Sequence, residues 1–213
     1  ADNCSVASTT NNAPAAFPLG VTTVTWTVTD GSGNTATANQ TVTVTDNINP
    51  TITAPANIAT TTNTACTATG LALGTPTTAD NCSVASVTNN APAAFPLGVT
   101  TVIWTVTDGS GNTATANQTV TVTDNINPTI TAPANIATST NKACTATGVA
   151  LETPTTTDNC SVARVTNNHP STTYPLGSTT VIWTVTDGSG RTATANQIVT
   201  VTDNINPTIT CPT

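Results

Sequence analysis

The chain has 213 residues, with 3 lysine and arginine residues against 10 aspartate and glutamate residues, and a formal net charge of −7. So few cations exclude the basic surface that binding to nucleic acid or to an anionic membrane requires. No run approaches the ~18 apolar residues of a membrane helix, so we expect no membrane insertion by this segment.

The sequence repeats itself at a constant interval. Cys4, Cys82 and Cys160 are equally spaced, and each stands in the hexapeptide DNCSVA. A period close to the size of one small domain indicates a tandem array of domains, cut from something longer. We predict a truncated repeat over 1–46, complete repeats over 47–124 and 125–203, and the start of another over 204–213.

The clearest element of the second copy is a β-hairpin. In Thr100–Thr107, Val102, Trp104 and Val106 alternate with mostly polar residues, which predicts a strand with Trp104 on its buried face. A turn over 108–112 follows, and a second alternating run then carries valines inward. Trp26 and Trp183 occupy the equivalent positions of the other copies, and we expect all three indoles to lie in the core.

The third copy predicts further short strands between loops rich in Pro, Asn and Gly. About seven short strands per repeat are typical of an immunoglobulin-like sandwich. We therefore predict an all-β protein made of tandem immunoglobulin-like Greek-key β-sandwiches in an extended array, each adding roughly 35–40 Å. The predicted strands lie around Thr129–Thr131, Ala143–Leu151 and Ser161–Thr166, and the loops over Thr153–Asn159 and Asn167–Gly177.

The six cysteines predict a disulfide framework. Cys82 follows Cys66 by the same short interval that separates Cys160 from Cys144, so each pair is expected to close a loop within one repeat. Cys4 and Cys211 have no partner in this segment. With no CxxC motif and a single histidine, a zinc site is the weaker alternative. Disulfides indicate a protein outside the cytosol.

Five motifs follow one another in a fixed order: Asn49–Ile58 (NPTITAPANI), Asp80–Cys82 (DNC), Phe95–Gly98 (FPLG), Thr101–Asn112 and Val120–Asp124. In this order they resemble the hyalin repeat, or HYR domain. That resemblance implies an extracellular immunoglobulin-like module associated with adhesion. The nearly identical copies are similar to repeats of giant surface adhesins of the Bacteroidota, including a gliding-motility adhesin, which implies a bacterial cell surface.

One departure from the family concerns a second pair of cysteines. Family members often have cysteine where this chain has Ala54 and Ala116, and again where it has Ala132 and Ala195. Both partners are absent together, which indicates a second disulfide replaced by alanine.

Nine of the ten acidic residues fall at three positions per repeat: before Asn-Cys, in the hairpin turn, and in the linker. The topology of a sandwich should bring the linker of one copy to two acids of the next. Clustered oxygen ligands at a domain junction suit Ca²⁺, which typically takes about 6–8 of them. The expected ligands are Asp46, Asn47, Asn49, Asp80 and Asp108 at one junction, and Asp124, Asn125, Asn127, Asp158 and Asp187 at the next. The alternative is that each aspartate only caps its own turn.

No catalytic set recurs, so we expect no enzyme. His169 occurs in one copy only, in a loop. We predict a repetitive stalk segment of a large adhesin, acting as spacer and multivalent contact surface. Its expected partners are neighbouring repeats of the same longer chain and surface polysaccharide or other cell-surface ligands. The alternatives are a carbohydrate-binding or spacer module of a secreted enzyme, or a subunit of a self-assembling extracellular filament.

Overall fold

The computed structural model describes residues 5–211, and the regular structure in this part of the chain is entirely β. It contains no helix that is long and apolar enough to cross a bilayer. Its strands are β1 (Val6–Asn11), β2 (Gly20–Asp30), β3 (Thr35–Val44), β4 (Thr51–Thr53), β5 (Ile58–Thr61), β6 (Thr67–Thr69), β7 (Thr77–Ala79), β8 (Val84–Asn89), β9 (Ala94–Pro96), β10 (Gly98–Asp108), β11 (Thr113–Thr123), β12 (Thr129–Thr131), β13 (Ile136–Ser139), β14 (Thr145–Ala146), β15 (Thr155–Thr157), β16 (Val162–Asn167), β17 (Tyr174–Pro175), β18 (Gly177–Asp187) and β19 (Thr192–Thr202).

The second and third repeats have the same strand plan. Each has a four-stranded sheet, in the order β5-β11-β10-β8 in the second repeat and β13-β19-β18-β16 in the third. Each also has two short ribbons, β4-β7 with β6-β9, and β12-β15 with β14-β17. The first strand of each large sheet pairs in parallel with the last strand of its repeat. The prediction of tandem immunoglobulin-like sandwiches is confirmed.

The predicted hairpin strands face inward as the alternation indicated. Val102, Trp104 and Val106 on β10 are buried, with Trp104 at 6 % exposure. On β11, Val120 and Val122 are also buried. Alternation holds on these strands because one face of the large sheet packs into the core while the other carries threonine to solvent.

A buried glutamine holds each core tryptophan. The Trp104 indole Nε1 donates to Gln118 Oε1 at 3.1 Å, and Gln118 Nε2 donates to the Ala56 carbonyl at 2.7 Å. In the third repeat, Trp183 Nε1 donates to Gln197 Oε1 at 3.0 Å. These bonds satisfy polar atoms that would otherwise be costly to bury in so small a core.

The first repeat is different because its described part has only the sheet β1-β2-β3. Trp26 lies on this sheet and is 40 % exposed, so the expectation that it is buried is wrong. Within residues 5–46 no second sheet covers that face. The indole still donates to Gln40 Oε1 at 2.9 Å, so the local geometry of the repeat is kept without its core.

The sequence does not reveal several of the short strands. Each complete repeat has eight strands and not about seven. The predicted strand Ala143–Leu151 is only Thr145–Ala146, because Ala143 (φ 38°) and Gly148 (φ 76°) take left-handed conformations on either side. Strands β15 and β17 lie inside segments predicted as loops. Strands this short offer too few residues for alternation to identify them.

The described chain divides into two compact units that do not follow the repeats. One comprises residues 5–56, 74–91 and 102–118, and the other comprises residues 57–73, 92–101 and 119–211. Each unit contains the linker that leads out of one repeat and the loops of the next repeat that lie beside it. The domain boundaries expected from the sequence stay a prediction.

Candidate functional site

A linker aspartate and two loop aspartates form each of two clusters, one in each compact unit. In each, three carboxylate oxygens lie within 4.8 Å of one another. One aspartate of each cluster comes from the linker between two repeats, and the other two come from loops of the following repeat. The first cluster consists of Asp46, Asp80 and Asp108, and the second of Asp124, Asp158 and Asp187.

The linker aspartates each use one oxygen to hold a turn. Asp46 Oδ1 accepts the backbone N–H of Ile48 at 3.1 Å, and Asp124 Oδ1 accepts that of Ile126 at 3.0 Å. In both residues Oδ2 is buried and has no hydrogen-bond partner. Asp124 as a whole is 6 % exposed, so its free oxygen is removed from bulk water.

The aspartates before Asn-Cys divide their oxygens in the same way. Asp80 Oδ2 accepts the backbone N–H of Cys82 at 2.9 Å, and Asp158 Oδ2 accepts that of Cys160 at 2.9 Å. The other oxygen, Oδ1, is buried and without a partner in each case. The capping explanation therefore accounts for one oxygen of each carboxylate and leaves the second unexplained.

The hairpin aspartates differ between the clusters. Asp108 Oδ1 accepts the backbone N–H of Asn112 at 2.8 Å, and Asp187 Oδ1 accepts that of Arg191 at 2.8 Å. The Asn112 side chain then donates to Asp108 Oδ2 at 2.7 Å, whereas Asp187 Oδ2 is buried without a partner. Both aspartates are 2 % exposed.

The residue after each hairpin turn also reaches the preceding linker. Asn112 Nδ2 donates to the Asp46 carbonyl at 3.2 Å. In the second cluster, Arg191 Nε donates to the Asp124 carbonyl at 3.1 Å and Nη1 donates to Asn127 Oδ1 at 3.2 Å. Neither residue is among the ligands predicted from the sequence. The sequence feature that could have identified them is their common position directly after Asp-Gly-Ser-Gly, which lies beside the equivalent linker in both repeats.

The predicted asparagine ligands are less buried than the aspartates of the clusters. Asn47, Asn49, Asn125 and Asn127 are all exposed. Asn127 offers its side-chain oxygen to Arg191. Their role as metal ligands stays a prediction.

Three carboxylates so close together repel one another strongly. Two unit charges 4.8 Å apart interact with about 3.5 kcal/mol at an effective dielectric constant of about 20. The described hydrogen bonds of Arg191 go to a carbonyl and to an amide oxygen, so they leave the carboxylate oxygens of the cluster unpaired. A bound cation is the chemistry that such a set of buried, unpaired oxygens fits.

Two groups in or beside the first cluster have shifted pKa values. Burial raises the pKa of Asp108, but hydrogen bonds from Asn112 and the turn backbone outweigh it, so the pKa lies below its usual value. The pKa of the Cys82 thiol is raised, first by its hydrogen bond to Asp46, then by burial and by the nearby carboxylates.

The disulfide joins two repeats, which corrects the pairing expected from the sequence. Cys66 of the second repeat is bonded to Cys160 of the third, with their Cα atoms 4.5 Å apart and a sequence separation of 94. The expected pairs Cys66–Cys82 and Cys144–Cys160 do not form. Cys82, Cys144 and Cys211 are free and exposed. Cys4 lies outside the described residues.

Asn159 ties this disulfide to the second acidic cluster. Its Nδ2 lies 3.3 Å from Asp124 Oδ1, 3.3 Å from Thr62 Oγ1 and 3.3 Å from the Ala65 carbonyl. The same atom lies 3.4 Å from Cys160 Sγ. One side chain of the third repeat thus contacts both the turn that carries Cys66 and the linker that carries Asp124.

Of the other candidates, His169 packs on the core. Its ring stacks on Tyr174 with centroids 4.3 Å apart, and Nδ1 lies 3.1 Å from the Ser171 carbonyl. Trp183, like Trp104, is buried, at 7 % exposure, so neither complete repeat presents its tryptophan for stacking on a sugar. The acidic clusters and the inter-repeat disulfide are therefore the candidate sites.

Comparison with solved structures gives cadherin and protocadherin ectodomains. Domains 1–5 of Protocadherin Gamma B2 are 11 % identical over 88 % of this chain and 47 % of that one, with a TM-score of 0.37. Drosophila N-cadherin EC1–4 is 12 % identical over 87 % and 58 %, with a TM-score of 0.37. Mouse clustered PcdhgC3 EC1–3 is 13 % identical over 88 % and 78 %, with a TM-score of 0.35. The chain thus spans about half the length of the first of these. Scores this low carry no argument about function.

No curated protein matches the chain. The family model of the HYR domain, in contrast, matches three successive segments, residues 1–44, 45–122 and 123–201. These segments take in nearly the whole chain and reproduce the repeat seen in the sequence. The chain belongs to the HYR domain family.

Proposed function

We propose that this chain is a stalk segment of a large cell-surface adhesin, in which Ca²⁺ bound at the acidic clusters links each repeat to the next. Its family places it among extracellular repeat modules that serve in adhesion or as spacers. The observation that carries the calcium proposal is the set of buried, unpartnered oxygens of Asp124, Asp158 and Asp187, three residues whose carboxylates converge within 4.8 Å.

The donor set favours Ca²⁺ over softer metals. Every converging side-chain atom is a carboxylate oxygen, and oxygen-only sites suit hard cations. Two oxygens that both lie about 2.4 Å from one Ca²⁺ are at most about 4.8 Å apart, and every pair of oxygens in each cluster meets this limit. Main-chain carbonyls, the predicted asparagines and water would complete a shell of about 6–8 ligands.

Calcium at these positions would act on the linkage between repeats. One ligand, such as Asp124, belongs to the linker that ends one repeat, and the other two belong to the loops of the next. An ion that holds all three restricts the linker and so favours one arrangement of neighbouring repeats. Repeats joined in this way suit a spacer that projects an adhesive region from the cell.

The test is calorimetric titration of the oxidised full chain with CaCl₂, repeated with MgCl₂. We expect two Ca²⁺ sites per chain. Asp30→Asn is the matched control, because Asp30 holds the same hairpin turn in the first repeat but belongs to neither cluster. The calcium proposal would be wrong if Ca²⁺ binding is not saturable and the thermal unfolding curves in Ca²⁺ and in EDTA are identical.

More specifically, we propose that this adhesin is a gliding-motility adhesin of the SprB type on a bacterial surface. The repetitive, nearly identical copies support it. Labelling intact cells of the source organism with an antibody to the repeats should reveal filaments that move along the surface of gliding cells. Label confined to the culture medium would favour the secreted-enzyme module. Reversible, concentration-dependent growth in sedimentation velocity would favour the filament subunit.

A further inference from the structure

The Cys66–Cys160 bond connects successive repeats, and its two halves recur along the chain. Cys144 lies one full repeat after Cys66, and Cys82 lies one full repeat before Cys160. Cys144 therefore has the position of the bond's first half in the third repeat. Cys82 has the position of its second half in the second repeat.

Cys144 is presented by the same turn as Cys66. The residues before them, Ala65 (φ 47°) and Ala143 (φ 38°), are the two non-glycine residues with positive φ among residues 5–211. Alanine adopts this conformation at a cost of about 1 kcal/mol, so its presence in both turns marks a shared constraint. Cys144 is exposed in this conformation without a partner.

Cys82 is presented by the same loop as Cys160. Each backbone N–H donates to the preceding aspartate, Asp80 or Asp158, at 2.9 Å. The asparagine between them contacts the sulfur in both loops, at 3.3 Å from Asn81 Nδ2 and 3.4 Å from Asn159 Nδ2. The free thiol of Cys82 thus has the same hydrogen-bonded surroundings as the disulfide-bonded sulfur of Cys160.

We propose that Cys82 and Cys144 are sites of two further inter-repeat disulfides, formed with the preceding and following repeats of a longer array. The partner of each is a cysteine of the same repeat type, at a sequence separation close to the 94 of Cys66–Cys160. Successive bonds then overlap, because Cys144 of one bond precedes Cys160 of the other within the same repeat.

The overlap gives the array a short covalent path. A path through the disulfides passes from Cys66 to Cys160, back along the chain to Cys144, and on through the next bond. At about 3.6 Å per residue, each repeat contributes at most about 60 Å, against about 280 Å for an unbridged repeat of this length. An array under tension would therefore lengthen little, even with its repeats unfolded.

Formation of each bond is a two-electron oxidation. Two cysteine thiols lose two protons and two electrons and form one S–S bond. The oxidant is a disulfide of low molecular mass or of an oxidoreductase, which is reduced to two thiols. In the second experiment below it is oxidised glutathione.

The first experiment tests the observed bond in the chain as it exists. Trypsin cleaves only after Lys142, Arg164 and Arg191, so Cys144 and Cys160 share one peptide, residues 143–164. After alkylation of free thiols and denaturation, we expect that peptide to stay linked to residues 1–142 until it is reduced. Cys144→Ser should keep the link and Cys160→Ser should abolish it. Release of peptide 143–164 without reduction would contradict the inter-repeat bond.

The second experiment tests the overlap in a lengthened chain, with a further copy of residues 125–203 inserted after Asp203. Refolding with oxidised glutathione should join Cys144 to the Cys160 of the added copy. Pulled by its ends, this chain should gain about 55 nm of contour length on reduction, because about 160 residues are bypassed. The Cys144→Ser version should gain only about 34 nm, since its one bond has a sequence separation of 94. An unmodified lengthened chain that also gains about 34 nm, with Cys144 open to alkylation, would overturn the proposal.

Discussion

The two acidic clusters share the same three aspartate positions, yet their surroundings differ in two ways. In the first cluster the neutral Asn112 satisfies the second oxygen of the hairpin aspartate, and the adjoining Cys82 is free. In the second, Arg191 places a positive charge at the linker, and the adjoining Cys160 is bonded to the preceding repeat. The first junction thus has hydrogen bonds from the neutral side chain of Asn112. The second has the disulfide and the positively charged guanidinium of Arg191.

The disulfide is a covalent link at the second junction, whereas the residue after the hairpin turn sets the charge beside each cluster. A guanidinium beside the second cluster lowers the attraction for a metal ion, whereas Asn112 leaves the full charge of the first cluster but engages one of its oxygens. One position after the hairpin turn can therefore tune successive sites that are otherwise alike. We expect the first site to bind Ca²⁺ more tightly.

The largest effect is expected from the covalent bond, which the second junction has. Cys160→Ser should lower the free energy of unfolding by about 4 to 5 kcal/mol, because the bond closes a loop with a sequence separation of 94 and so restricts the unfolded chain. Denaturant unfolding under oxidising conditions measures the change. Cys211→Ser, at a free and exposed cysteine, is the matched control and should change nothing.

The next effect is the loss of one metal site. Asp187→Asn should reduce the Ca²⁺ stoichiometry from two to one, with affinity at the second site falling at least about 100-fold, since a charged ligand becomes a neutral one. Calorimetric titration measures both quantities. Asp108→Asn should remove the first site instead.

Equal Ca²⁺ binding by the two variants and by the parent chain would contradict this assignment. So would equal losses in Asp187→Asn and in the Asp30→Asn control, because Asp30 is outside both clusters.

Exchanging the tuning residues should bring the two sites closer in affinity. Arg191→Asn should strengthen Ca²⁺ binding at the second site about tenfold, about 1.4 kcal/mol, because the guanidinium charge is removed. Asn112→Arg should weaken the first site by a similar factor. Competition against a chelating dye measures both. If the affinities do not change, the charge of this residue is not what distinguishes the clusters.

The smallest effect concerns the hairpin turn of the first repeat, which is the reference without a cluster. The pKa of Asp30 lies below 3.8, chiefly because the Asn34 side chain donates to its carboxylate. A lowered pKa stabilises the fold above the ordinary value, and this contribution disappears as pH falls through the lower, folded-state value. Asn34→Ala should raise the Asp30 pKa, as followed by carboxyl NMR titration. An unchanged pKa would assign the shift to the backbone donors alone.

The sequence is sufficient where a strand is long and faces one core. The alternation around Trp104 predicts the buried face of β10, and it fails for Trp26 because burial depends on a second sheet that the described part of the first repeat does not have. The clustering of Asp46, Asp80 and Asp108 can be inferred because linker and loops meet wherever one sandwich follows another.

The disulfide pairing cannot be read from spacing for a reason of symmetry. In a periodic sequence, a bond from Cys66 to its own repeat and a bond to the next repeat both recur once in every repeat. Local loop-closure arguments favour the shorter loop, which stays within one repeat. Only the fold decides, because it places the Cys66 turn against the loop that carries Asn159 and Cys160.

If the proposed calcium binds, the shared use of each carboxylate would determine how the junctions respond when it is withdrawn. One oxygen of Asp124 and one of Asp158 already hold their turns, so the loops are ordered before any ion arrives. Little chain entropy is then lost on binding, and exchange of the ion need not wait for refolding. Calcium would then bind reversibly to domains that are already folded. A fall in its concentration would free the linkers between repeats and leave every repeat folded.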